Sequence, residues 1–153
     1  MMKALELKIP PVIIVVLVAG LMLLVASLFP QVQFGPLPNW ISLAVAILGV
    51  ILPLVAAISF RRAQTTVHPS NPEKTSTIVT TGIYRVTRNP MYLGFAFILL
   101  GWGLYLGNMV ALFGLPAYMF YMNAFQIKPE ERILTEKFGQ AYQDYRSKAN
   151  RWL

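Results

Sequence analysis

The chain has 153 residues, 56% of them hydrophobic and 12% charged, with 13 lysines and arginines against 6 acidic residues for a net charge of +7. A soluble globular domain carries about a quarter charged residues, so the composition points to one membrane-embedded domain spanning residues 1–153. The lack of cysteine excludes disulfides and thiolate chemistry, and the one histidine, His68, excludes a histidine-built metal centre, so no metal site is expected.

Lys3 and Lys8 precede the first apolar run, Val12 to Phe29. It is longer than a signal-peptide core and lacks an Ala-x-Ala exit, so it reads as a span rather than a cleaved leader. Trp40 to Phe60, Met91 to Leu106 and Met109 to Ile127 follow, and none of the four runs contains a charged residue. Backbone groups in hydrocarbon must be satisfied internally, so each run is predicted to be a helix. The expected fold class is all-α: a polytopic membrane protein of four transmembrane helices, completed by a C-terminal amphipathic cytoplasmic helix. Pro53 and Pro116 read as kinks, and Met22, Met109, Met119 and Met122 as packing. Gly101-Trp102-Gly103 reads as a helix-packing site. Gly107-Asn108 is a turn signal that makes the last two spans a helical hairpin.

Lysine and arginine are confined to the amino end, the loop 61–90 and the tail 128–153; the two remaining loops carry none. The positive-inside rule then puts both termini and the long loop in the cytoplasm, as in a multi-pass protein of a cell membrane such as a bacterial inner membrane. The basic excess suits membrane lipids as partners better than nucleic acid, since no basic helix or stacking platform is present. Oligomeric state is left open.

Asn89 is a suitable N-cap and Pro90 a suitable first residue for the third span. Pro129, followed by Glu130 and Glu131, reads as a second helix start. The terminal helix beyond it carries an apolar stripe of Ile133, Leu134, Phe138, Tyr142 and Tyr145, with Gly139 as a bend. Sixteen residues rise only ~24 Å, so the third span is short and its mouth sits low in the headgroup region. The hairpin returns Pro129-Glu130-Glu131 to the level of Arg88-Asn89-Pro90. Arginine donors, carboxylate acceptors and tyrosine faces together suit a mixed-charge ligand.

"GIYRVTRNPMYLG" followed by "PEERILTEKFGQAYQDYRSKANRWL" resembles the isoprenylcysteine carboxyl methyltransferase family, with Gly82, Tyr84, Arg88, Pro90, Tyr92, Gly94, Glu130, Glu131, Leu134, Phe138, Gly139, Tyr142, Tyr145 and Arg151 in register. The related phospholipid N-methyltransferases share the Asn-Pro-Met-Tyr start, the Gly101-Trp102 pair and the Glu-Glu pair. The likeness runs from about Thr65 onward. It implies a membrane methyltransferase that uses S-adenosyl-L-methionine in the loop and tail, without a Rossmann fingerprint.

The resemblance implies that Arg88 or Arg85 binds the cofactor carboxylate, assisted by the helix start at Asn89 and Pro90, beside Gly82. Glu130 and Glu131 accept from its ammonium or ribose. Tyr84, Tyr92 and Tyr142 line the adenine or face the sulfonium. Arg151, beside Trp152, closes the site or orients the acceptor, so that Arg88, Asn89, Glu130 and Arg151 form the catalytic set. Against these stand positive-inside arginines, acids on a helix macrodipole and interfacial tyrosines. His68 reads as a solvated loop residue rather than a base.

Members that methylate prenylated cysteine carry His where this chain has Asn89, which leaves the lipophilic acceptor open among carboxylate, thiol and lipid headgroup. The shortage of bases leans toward an anionic oxygen or sulfur; a phospholipid N-methyltransferase is the alternative. A four-span transporter and a non-catalytic scaffold are the competing classes.

Overall fold

The computed structural model describes residues 6–34, 37–62 and 77–153; Lys3, His68 and Lys74 lie outside the described residues. Among the described residues the regular structure is helical, with two isolated bridges and no strand.

Helices α1 (Pro11–Leu28) and α2 (Asn39–Arg62) have 18 and 24 residues, long and apolar enough to cross a membrane. Val16, Leu17 and Leu28 of α1 and Trp40, Leu43 and Leu54 of α2 are largely exposed. Water does not tolerate apolar faces of that extent, and lipid does. The protein is therefore a membrane protein. Helix α3 (Pro90–Leu106) is shorter, at 17 residues, and closes on Gly107 in the left-handed region at φ 64°.

Helices α2 and α3 pack through small residues. A Cβ at Gly94 would lie 2.4 Å from Pro53 Cδ and 2.6 Å from the Gly49 carbonyl oxygen, and one at Gly101 would lie 2.7 Å from the Ser42 oxygen. Lipid offers helices no hydrophobic drive to associate, so close backbone approach supplies it. On the α1 side, Met22 is buried against Gly103, and the Trp102 indole donates to the Ala19 carbonyl at 3.0 Å.

The segment after the Gly107-Asn108 turn departs from the expected single helix. A 3-10 turn (Ala111–Phe113) leads into α4 (Gly114–Met122), then a π-helical turn (Asn123–Ile127), then α5 (Lys128–Phe138). Ile127 and Lys128 keep right-handed helical angles, so Gly114 to Phe138 is helical without a break. Pro129 therefore does not open a helix. It lacks the N–H that would bond the Phe125 carbonyl four residues back, and the Leu7 N–H occupies that carbonyl instead at 3.1 Å. The tail is two helices rather than one: Gly139, at φ 55°, separates α5 from α6 (Gln140–Lys148).

The two uncharged loops meet at one end of α3, where Phe34 N–H donates to Gly107 and Met109 N–H to Val32, both at 3.0 Å. The buried Asn108 amide donates to the Phe29 carbonyl at 2.7 Å. The charged segments gather at the other end, about 25 Å away along α3.

Candidate functional site

At that charged end, Gly82 takes φ 61° to start a 3-10 turn (Gly82–Arg85), after which the chain pairs with its own tail. Asn150 N–H donates to the Val86 carbonyl at 3.2 Å, and Arg88 N–H donates to the Asn150 carbonyl at 2.8 Å. This two-sided pairing fixes the entry to α3 against the end of α6.

Arg88 and Glu131 meet there at 2.8 Å, both with about nine-tenths of the side chain buried. Arg151 completes the cluster with a fork, Nε to Oε1 at 3.0 Å and Nη2 to Oε2 at 2.7 Å. The other terminal nitrogen of Arg88 donates to the Arg146 carbonyl at 3.1 Å and to that of Ala149. Both oxygens of Glu131 are thus occupied, and Arg88 Nε is buried without a partner. Burial would raise the Glu131 carboxyl, but hydrogen bonds from Arg151 and Arg88 outweigh it and hold the group below the usual carboxylate range.

Glu130 is differently placed. Tyr92 Oη and Gln126 Nε2, the latter at 3.2 Å, both donate to Oε1, and Oε2 has no hydrogen bond among the described residues. No cation among the described residues pairs with it. Burial pushes its carboxyl up to about 8, against the lowering effect of the Tyr92 and Gln126 donors.

The π-turn explains how adjacent glutamates both face inward. Tyr118, Met122 and Gln126 recur every fourth residue on the buried face, and the buried set then steps to Ile127 and Glu131. One widened turn admits one extra residue and rotates the stripe. Glu130 therefore meets α3 while Glu131 meets the arginines.

Around the carboxylates stands an aromatic wall. Tyr84 is buried edge-on to Phe60 at 5.2 Å, and Tyr145 donates to the Tyr84 carbonyl at 2.7 Å. Tyr142 is buried in the same cluster, and burial raises its hydroxyl to about 12. Pro90 is buried at the entry to α3. Asn89 holds the N-cap position but makes no side-chain cap; its amide donates to the Arg151 carbonyl at 2.9 Å.

Arg88, Asn89, Pro90, Tyr92, Glu130, Glu131 and Arg151 thus come together. Gly82 serves the turn rather than the cluster, and Arg85 is exposed beside a separate groove. Motif reading missed Gln126, Asn123 and Thr87. Gln126 alone had a signal, its four-residue spacing from Glu130. Asn123 accepts from the Trp152 indole at 3.2 Å, and Thr87 Oγ1 donates to the Arg151 carbonyl at 3.3 Å. No group of three metal-ligating side chains occurs among the described residues.

The model of the phospholipid methyltransferase family matches residues 38–141, which contain α2, α3 and the glutamate pair. The chain belongs to that family. A probable protein-S-isoprenylcysteine O-methyltransferase of Oryza sativa subsp. indica is 27% identical over 125 residues, covering 82% of this chain and 65% of its own length. The protein-S-isoprenylcysteine O-methyltransferase of Schizosaccharomyces pombe is 35% identical over 103 residues, 66% of this chain and 43% of its own length. An uncharacterised protein of Haemophilus influenzae is 46% identical over 63 residues, 41% of this chain and its whole length. The chain thus spans about two fifths to two thirds of the length of these named enzymes, and the likeness to isoprenylcysteine carboxyl methyltransferases read from the motifs stands.

Proposed function

We propose that this family member is a membrane methyltransferase that takes S-adenosyl-L-methionine between the entry of α3 and the start of α5, and that a lipophilic acceptor reaches it from the bilayer. The observation that carries the reading is the contrast within one buried cluster: among the described residues, one Glu130 carboxylate oxygen and the buried Arg88 Nε have no hydrogen-bond partner. A zwitterionic amino-acid group needs one acceptor and one donor held apart, and this donor set supplies both.

In this reading Glu130 receives the cofactor ammonium or ribose hydroxyls, and Arg88 Nε receives its carboxylate. Tyr84, Tyr92 and Tyr142 bound the adenine and sulfonium region. Glu131 and Arg151 brace Arg88 and contribute rigidity. Bound there, the cofactor supplies an electrophilic methyl group, and the protein supplies orientation and exclusion of water. The buried wall of Ala56, Tyr84 and Tyr142 suits the second task.

The gathering of uncharged loops at one end and charged segments at the other supports four crossings, with the site and both ends at the cytoplasmic face. Transfer to a carboxylate or thiolate carried by a lipid or lipidated molecule needs no base. Transfer to a headgroup amine is a second reading, favoured by the match to the phospholipid methyltransferase family; it requires the amine to lose its proton before transfer.

The test is incubation of the purified full chain with methyl-labelled S-adenosyl-L-methionine and membrane lipid extract. Label in an organic-soluble product is expected. Calorimetry showing no affinity for the cofactor overturns the proposal.

A further inference from the structure

Arg85 is the motif arginine that the cluster above does not use. It lines a polar, half-open groove of about 400 Å³ between the 3-10 turn and α6, together with Thr80, Asp144, Tyr145 and Lys148. Arg88, Glu130 and Glu131 are not among its lining residues. The groove shares only the Tyr145–Ala149 wall with the cluster, so a ligand bound in it is independent of the methyltransferase reading.

We propose that this groove binds the phosphate of an anionic membrane lipid headgroup. Two cations from separate elements converge on it, and neither Arg85 nor Lys148 makes an ion pair among the described residues. Asp144 lines the same groove and offsets part of this charge, but it pairs with neither cation: its Oδ1 accepts from Gln140 at 2.8 Å, and the two cations against one carboxylate leave the groove net positive. The Tyr145 hydroxyl is spent on the Tyr84 carbonyl. The donors left facing the groove are a guanidinium, an ammonium and the Thr80 hydroxyl. Two cations without an ion pair among the described residues repel unless an anion joins them, and the planar guanidinium with a compact ammonium is the donor pair that phosphate oxygens accept from.

A free phosphate offers the same oxygens. The surroundings favour the lipid: Val86, next to Arg85, is 57% exposed, and the groove lies at the cation-rich end of the helices, where a headgroup stands in a membrane.

The test uses the full chain in detergent. Dihexanoyl phosphatidylglycerol, kept below its micelle concentration, is titrated in and its phosphorus resonance followed; inorganic phosphate and dihexanoylglycerol are titrated separately. Saturable, salt-sensitive binding of the phospholipid is expected, weakened about tenfold or more in the Arg85→Gln, Lys148→Gln double variant and retained in Arg85→Lys. Both side chains are exposed, so the thermal midpoints of all variants should match the parent. Equal affinity in the double variant overturns the proposal, as does equal binding of dihexanoylglycerol. Binding of inorganic phosphate with the phospholipid excluded overturns the lipid assignment.

Discussion

Arg151 grips Glu131 with both edges of its fork, at 3.0 and 2.7 Å, while Arg88 shares the same carboxylate at 2.8 Å. Among the described residues the neighbouring Glu130 has neutral donors alone, both on one oxygen. Within the Glu-Glu pair, one carboxylate is thus held by two guanidinium groups and the other by none among the described residues.

Removing the brace strands two guanidinium groups, one of them nearly buried. Breaking a buried ion pair by deleting one partner costs about 3–5 kcal/mol, and the partial exposure of Arg151 places Glu131→Ala at the lower end. The expected result is a clear fall in the thermal midpoint at neutral pH, read by scanning fluorimetry in detergent. Because the folded carboxyl titrates below its ordinary 4.5, its contribution is complete above that pH and is lost as pH falls through the folded value. Parent and variant should therefore converge in acid. An unchanged midpoint at pH 7 refutes the brace.

Glu130→Gln separates binding from folding. The parent carboxyl is raised from 4.5 to about 8, so the folded state holds its proton more tightly than the unfolded chain does. Stability from this group is full below 4.5 and drains as pH rises through about 8; the variant, with nothing to titrate, should lose that slope. Cofactor affinity should drop about tenfold or more, as for a lost charged hydrogen bond. In the parent, binding should strengthen as pH rises toward 8 and should release a proton, detectable by calorimetry in buffers of different ionisation enthalpy. Wild-type affinity in the variant removes Glu130 from the site.

The Asn89 side-chain amide donates to the Arg151 carbonyl at 2.9 Å. A histidine Nδ1–H can donate to the same acceptor, whereas alanine cannot. Asn89→His should keep the thermal midpoint, and Asn89→Ala should cost about 1 kcal/mol. Equal losses in both would mean that the carbonyl contact contributes nothing.

Much of this arrangement was legible in the residues. Uninterrupted apolar runs marked α1, α2 and α3, because hydrophobic length is a local property. The meeting of Arg88 with the acidic pair followed from a hairpin signalled by Gly107-Asn108. The division of labour between Glu130 and Glu131 was not legible, because it depends on the π-turn, whose extra residue rotates the buried stripe and which has no composition mark. Pro129 misled for a related reason. Its missing donor usually signals a helix start, but here the freed Phe125 carbonyl is taken by Leu7, a contact more than a hundred residues away in sequence. Both Arg88 and Arg85 were read as donors to the cofactor carboxylate, with Arg88 alone in the catalytic set; that a 3-10 turn sends Arg88 into the cluster and Arg85 to the groove was invisible in the pattern.

The contact between α2 and α3 supplies the last prediction. Gly94 lies one turn into α3, beyond Arg88 and next to Tyr92, and an added Cβ there would meet Pro53 Cδ at 2.4 Å and the Gly49 carbonyl at 2.6 Å. Neither neighbour is the end of a flexible side chain, so the helices must separate. Overpacking of this kind costs about 1–3 kcal/mol. Separation would also move the entry of α3, which carries Arg88 and Tyr92, so Gly94→Ala should weaken cofactor binding without touching the cofactor. Gly20→Ala is the control, since nothing lies within 4 Å of its added Cβ, and alanine is the better helix former. Its midpoint should equal or exceed that of the parent while that of Gly94→Ala falls. Equal midpoints for the two variants would show that the small-residue contact does not set the helix spacing.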